Sequence, residues 1–224
     1  MKKCLYTIYF GGYDNPYEPF VSEGWDYVMF TNRDDVESDV WKIIRVTTPL
    51  PDYLATRYVY INSHLFVPEE YDYSLMVGGQ VRVIGDLNTL DIDFMADFNT
   101  MKHPCRTCIY QEAETIRKEN IDKTMNFVPQ MERYRAEGFP ENFGLNACGI
   151  IGRHNNNITE DYERAWWHEV MTGSYRDQLS FDYVRWSFLQ KGIPIRVHNF
   201  KTPYWDLLKG NIFNIVKHGT NTSA

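Results

Sequence analysis

The triplet Arg176-Asp177-Gln178 sets a guanidinium fork, a carboxylate and a primary amide side by side, directly after the turn residues Gly173-Ser174. Such a turn leading into Leu179 and Phe181 marks a helix start, and donors beside the positive end of a helix dipole suit a phosphate or a sugar hydroxyl. Ser174 also fits an N-cap, with Asp177 three residues on in the capping-box position, so the carboxylate has a purely structural reading as well. Upstream, Trp166, Trp167, Val170 and Met171 can anchor a preceding helix in a core, while His168 and Glu169 add ionisable groups to it.

The elements that must position these groups follow from hydrophobic spacing. Short β-rich runs over residues 4–10, 27–31 and 41–46 open the chain. Leu54, Tyr58, Ile61 and Leu65 recur at helical spacing over 53–66, and Pro68 closes that segment. A strand over 73–77 runs into Gly78-Gly79-Gln80 and β character resumes over 81–84. Two glycines at a strand end allow close backbone approach to a ligand, and a β-bulge explains them equally. Helical and loop pieces are expected over 90–98, helices over 108–120 and 130–136, and a last strand over 194–198. The apolar strand over 145–151 should deliver Arg153 and His154 to a loop. Residues 206–224 are expected as a loosely held tail. One α/β domain over 1–224, a mixed sheet flanked by helices, is predicted.

Composition narrows the function. A formal net charge of -7 argues against nucleic acid as the main partner. No run of residues has the apolar length of a membrane span, and the N-terminus reads as a strand, not a signal peptide. Cys105 and Cys108 form a C-x-x-C without the second pair that zinc would want, so the four cysteines are read as reduced thiols in a cytoplasmic chain. An aromatic content of 16% suits a carbohydrate or nucleobase site, and equally a tyrosine-rich core.

Several segments, in one order along nearly the whole chain, resemble the glycosyltransferase-like domain family, first described as a domain of unknown function, of plant turgor-regulation and seed-mucilage proteins and of bacteria. They are Tyr6-Thr7-Ile8-Tyr9-Phe10-Gly11-Gly12-Tyr13-Asp14, Ala55-Thr56-Arg57-Tyr58, Lys102 through Ala113, Gly138-Phe139-Pro140, Gly152-Arg153-His154-Asn155, and Trp166 through Phe181. The resemblance implies a GT-A-like, Rossmann-like fold and a nucleotide-sugar donor, with a UDP-sugar favoured, bound near the ends of the first strands. The acceptor would be a glycan, glycolipid or other polyol.

In the family pattern the central strand ends in a Trp-Ile-Asp-Gly-Asn-like run, similar to the Asp-x-Asp motif that holds Mn²⁺ or Mg²⁺ on the diphosphate. This chain has Met76-Val77-Gly78-Gly79-Gln80, so Gly78 stands at the carboxylate position and an oxygen ligand is missing. Three explanations stay open: a metal-independent transferase, a ligand from elsewhere such as Asp86, or a domain without catalysis that still binds carbohydrate or nucleotide. The resemblance places Phe10, Gly11, Gly12, Tyr13, Arg57, Gly78, Gly79 and Gln80 at the donor. It places His103, Arg106, Glu112, Arg153 and His154 at phosphate or acceptor. Asp177-Gln178 is similar to the Asp-Gln of retaining family 8 glycosyltransferases, which gives Asp177 the sugar hydroxyls or the developing positive charge and Gln178 the orientation of the sugar, with Arg176 adding charge. The stereochemical outcome stays open, and an inverting route would take its base from Glu112, Glu169 or His154. His198 faintly resembles a late metal-binding histidine of the same enzymes. A hydrolase using Asp177, Glu112 and His103 is the remaining alternative, without a G-x-S-x-G motif to support it.

Overall fold

The computed structural model describes residues 1–218. Seven strands form one mixed sheet in the order β3-β2-β1-β4-β7-β6-β8, built from β1 (Lys3–Tyr9), β2 (Trp25–Thr31), β3 (Lys42–Arg45), β4 (Tyr73–Val77), β6 (Phe98–Lys102), β7 (Asn146–His154) and β8 (Val197–Asn199). A separate ribbon pairs β5 (Val81–Val83) antiparallel with β9 (Phe213–Ile215). The helices are α1 (Asp52–Ile61), α2 (Ile109–Lys118), α3 (Phe127–Ala136), α4 (Asn157–Thr172), α5 (Gln178–Gln190) and α6 (Tyr204–Leu208).

Strand alternation sends Cys4, Tyr6 and Ile8 of β1 to one core and Leu5 and Tyr9 to another. The first core is closed by helices α1 to α5 through Val59, Ile109, Met131, Trp166 and Phe181. The second is closed by the β5–β9 ribbon and α6 through Val81, Val83, Phe213 and Leu207. Burial of both faces explains why the central strands read as near-continuous apolar runs.

Strands β1 to β4 are parallel, β7 is antiparallel to β4 and to β6, and β8 is parallel to β6. The C-terminal ends of β1 to β4, β6 and β8 therefore share one edge of the sheet with the start of β7. After β3 the chain returns to place β4 on the other side of β1. That reversal is the switch point at which open α/β sheets bind ligands.

Three expectations change. Residues 90–98 hold no helix, and the strand Phe98–Lys102 follows them. The segment from 206 is packed where it is described: Leu207, Leu208 and Phe213 are buried and β9 pairs with β5, while 219–224 lie outside the described residues. Strand β7 runs down the sheet, so Arg153 and His154 emerge at the edge opposite the ends of β1 and β4.

Candidate functional site

At the switch point the ends of β1 and β4, the start of α1 and the approach to α5 enclose a cavity of about 820 Å³. Tyr9, Phe10, Tyr13 and Asp14 follow from β1, and Gly79 from the turn after β4. Helix α1 contributes Asp52, Tyr53, Thr56 and Arg57, and Tyr175 and Arg176 come from the segment before α5. His218, brought up by β9, closes the remaining side.

The β1 loop is held locally. Gly11 has φ +62 and its N–H donates to Asn32 Oδ1 at 2.8 Å, while Asn32 Nδ2 donates to Asp52 Oδ1 at 2.8 Å. A side chain at Gly11 would run into the Asp52 carboxylate, so glycine is required both for the left-handed turn and for that close approach. His218 Nδ1 lies 2.9 Å from Asp14 Oδ1, and its ring centre is 4.7 Å from that of Tyr13.

On the opposite wall Arg57 Nε stands 3.3 Å from Asp177 Oδ1. Arg57 Nη1 donates to the Tyr53 carbonyl at 2.6 Å and the guanidinium lies 5.2 Å from the Tyr175 ring centre. The Trp166 indole N–H donates to the Asp177 carbonyl at 2.9 Å, which fixes the backbone of that residue against the helical core. The capping-box expectation fails here. Asp177 has helical dihedrals and no side-chain cap, and the Ser174 hydroxyl accepts from the Arg176 N–H and donates to Asp122 Oδ2 at 2.7 Å. A largely buried carboxylate gains more from a guanidinium than from a cap, and α1 supplies one. Arg176, on the cavity wall, makes no ion pair among the described residues.

Gln178 is oriented from below. Its Nε2 donates to the Asn146 carbonyl at 2.9 Å, which turns Oε1 the other way. Asn146 is in turn held by the fully buried Asp182, whose carboxylate accepts from the Asn146 N–H at 2.8 Å and from Nδ2 at 2.7 Å. Burial pushes the Asp182 carboxyl above the usual carboxylate range.

The remaining expected residues lie elsewhere. Gly12, Gly78 and Gln80 neighbour the cavity in sequence but do not line it. His103, Arg106 and Glu112 form their own cluster further along the same edge, with Arg106 Nε 2.5 Å and His103 Nε2 3.8 Å from Glu112 Oε2. Arg153 is fully buried, in contact with the Tyr6 hydroxyl and 3.1 Å from Glu163 Oε1, and His154 contacts Asn156 at 3.0 Å. Glu169 sits among helices with Arg133 and Tyr134.

The metal candidates also separate. Asp86 accepts from the Asn88 N–H, and Asn88 Oδ1 accepts from Trp25 at the start of β2, which puts Asp86 toward the opposite edge from Gly78. His198 Nε2 lies 2.8 Å from the Asp91 carbonyl on the outermost strand. Among the described residues no group of three His, Cys, Asp or Glu side chains could hold a metal ion. Asp14, Asp52, Tyr53, Thr56, Tyr175 and His218 were not singled out from the sequence. Tyr53 carried a signal in lying on the helix face of Arg57 at i−4, and Asp14, Thr56 and Tyr175 in falling within the family-resembling segments.

Residues 26–212 match the family model described as TOD1/MUCI70, glycosyltransferase-like domain. The chain belongs to that family. No curated protein matches the chain. For a TOD1/MUCI70 glycosyltransferase-like domain the substrates in question are a sugar donor and an acceptor. The cavity lies where a Rossmann-like sheet offers one. No helix of the described residues is long and apolar enough to cross a membrane.

Proposed function

We propose that this domain transfers a sugar from a nucleotide-sugar, with a UDP-sugar favoured, to a hydroxyl of a glycan, glycolipid or other polyol, on a GT-A-like scaffold. The observation that carries the reading is the pair of cations Arg57 and Arg176 on the wall of the switch-point cavity, with Asp177 paired to Arg57 directly behind that lining. In the transfer the bond between the anomeric carbon and the diphosphate oxygen breaks, a bond to the acceptor oxygen forms, and the acceptor proton leaves. Positive charge develops on the sugar and negative charge on the diphosphate. Asp177 would face the first and Arg176 the second, with Gln178 Oε1 accepting from a sugar hydroxyl. The aromatic rings of Tyr9, Tyr13 and Tyr175 give the cavity apolar surface for a base.

The metal-independent route is preferred because Gly78 offers no side-chain oxygen and, among the described residues, no three His, Cys, Asp or Glu side chains gather to hold a cation. The reading therefore gives the diphosphate charge to Arg176, a cation without an ion pair among the described residues. Thermal stabilisation by UDP in the presence of EDTA tests it, followed by release of UDP from a panel of UDP-sugars. The expected result is a rise in Tm that Arg176→Ala abolishes; no shift with any nucleoside diphosphate overturns the reading. The glycine at position 78 also favours a second reading, a binding module without turnover. That reading predicts the same shift with UDP release at background in the unaltered protein.

A further inference from the structure

The helical layer carries a second cleft of about 580 Å³, between α4, the later turns of α5 and the residue after α3, Glu137. Its floor is built in advance. The rings of Tyr134 and Tyr183 stack with centres 3.5 Å apart and planes at 8°. Arg133 bridges two carboxylates, with Nη2 2.5 Å from Glu169 Oε2 and Nη1 3.3 Å from Glu137 Oε1. The Tyr134 hydroxyl donates to Glu169 Oε2 at 2.6 Å and the Tyr183 hydroxyl donates to Glu137. These bonds fix both carboxylates before any ligand arrives, which lowers the ordering cost of binding.

Trp186 stands partly exposed beside this floor, its ring centre 5.9 Å from that of Tyr183. Exposed His168, Gln190 and Lys191 form the rim. A partly exposed indole beside fixed carboxylates and an amide is suited to a ring that is apolar on one face and carries hydroxyls around its edge. Glu137 and Glu169 are offset by Arg133 beneath them and Lys191 at the rim, so the cleft has no excess of cations to select a uronic or sulfated sugar. Ser187 lies ten residues beyond Asp177, at the α-helical rise about 15 Å along the axis, so the cleft is separate from the transfer centre yet on the same helix.

We infer that this cleft is a carbohydrate-binding subsite for a neutral oligosaccharide, holding the part of an acceptor chain distant from the transferred sugar. The acceptor role rests on the transferase reading; the binding of glycan does not. The test is calorimetry and tryptophan fluorescence with cellohexaose, xylohexaose, mannohexaose and β-1,4-galactohexaose, each against its monosaccharide, with no nucleotide present. The expected result is that at least one hexasaccharide binds, with its monosaccharide about tenfold or more weaker, and that Trp186→Ala weakens the binding about tenfold. The double variant Gln190→Ala/Lys191→Ala, at exposed positions, carries the same expectation if Trp186→Ala does not fold. No hexasaccharide binding, or binding unchanged in the variant that folds, overturns the inference. Hexasaccharide binding without a UDP shift would keep this cleft and remove the transferase reading; a UDP shift without hexasaccharide binding would remove the cleft alone.

Discussion

Arg57 Nε lies 3.3 Å from Asp177 Oδ1, joining the second turn of α1 to the N-terminal end of α5 behind the cavity lining. Both side chains are largely buried, so Arg57→Ala strands a carboxylate in a poorly solvated place. It is expected to cost about 3 kcal/mol in denaturant unfolding. Asp177→Asn, which keeps the shape and removes the charge, should cost less, and the double variant should recover about 1–2 kcal/mol of the summed losses. Sugar transfer should be lost in either single variant.

Gln178, two residues beyond the cavity-lining Arg176, is held by a relay, Asp182 to Asn146 to Gln178. Gln178→Glu replaces the amide donor with a second acceptor facing the Asn146 carbonyl. A stability loss of about 1 kcal/mol is expected, with transfer reduced about tenfold or more. The thermal shift caused by UDP alone should stay, because this side chain is assigned to the sugar. A parallel loss of the UDP shift would move Gln178 to the nucleotide.

Gly78 and Gly79 should respond differently to the same substitution. A Cβ at Gly78 meets only the Gly149 carbonyl oxygen at 3.4 Å, so Gly78→Asp is expected to fold within about 1 kcal/mol of the parent. A Cβ at Gly79 comes within 3.1 Å of Asp14 Oδ2 and 3.3 Å of the Tyr9 ring, and Gly79→Asp adds a like charge there, for a cost of about 2 kcal/mol or more. Thermal unfolding of the two variants checks the difference. Gly78→Asp should also make UDP binding responsive to Mn²⁺, whereas the parent should be insensitive to EDTA.

His103 gives a pH signature away from the cavity. Its Nδ1 accepts the N–H groups of Cys105 at 3.3 Å and Arg106 at 3.1 Å, which requires the neutral ring, and burial holds its pKa below the usual 6.5. As pH falls through about 6.5 the unfolded chain takes up a proton that the folded chain refuses until lower pH, so stability drops. His103→Gln should lower Tm at neutral pH and flatten its decline toward about pH 5. An identical pH slope in parent and variant would contradict this.

The strands and the main helices were legible because their apolar periods of two and 3.6 survive in the sequence. Strands β6 and β9 were not: Phe98-Asn99-Thr100-Met101-Lys102 alternates too little and its Thr100 hydroxyl is satisfied by the carbonyls of Ala147 and Ile150 on the neighbouring strand, and the three residues of β9 gain strand structure only by pairing with β5. Of the cavity residues, Arg57, Arg176, Phe10 and Tyr13 were visible as charged or aromatic groups within recognisable segments, and Asp177 and Gln178 as their neighbours. Arg153 carried the same local signal and stands at the wrong edge, because strand direction is a property of pairing and β7 pairs antiparallel with β4.

By itself the sequence determined the α/β class, the family and the polar helix start at Arg176-Asp177-Gln178, since propensity, periodicity and motif order are local properties of the chain. Tertiary structure alone decided what the Asp177 carboxylate does. It turned a capping position into an ion pair with Arg57, and it brought Asp14, Asp52 and His218 to one cavity from segments as far apart as β1 and β9. The physical reason is that a side chain's partner depends on which surfaces the sheet and helices bring within a few ångströms, and that distance has no counterpart in sequence spacing.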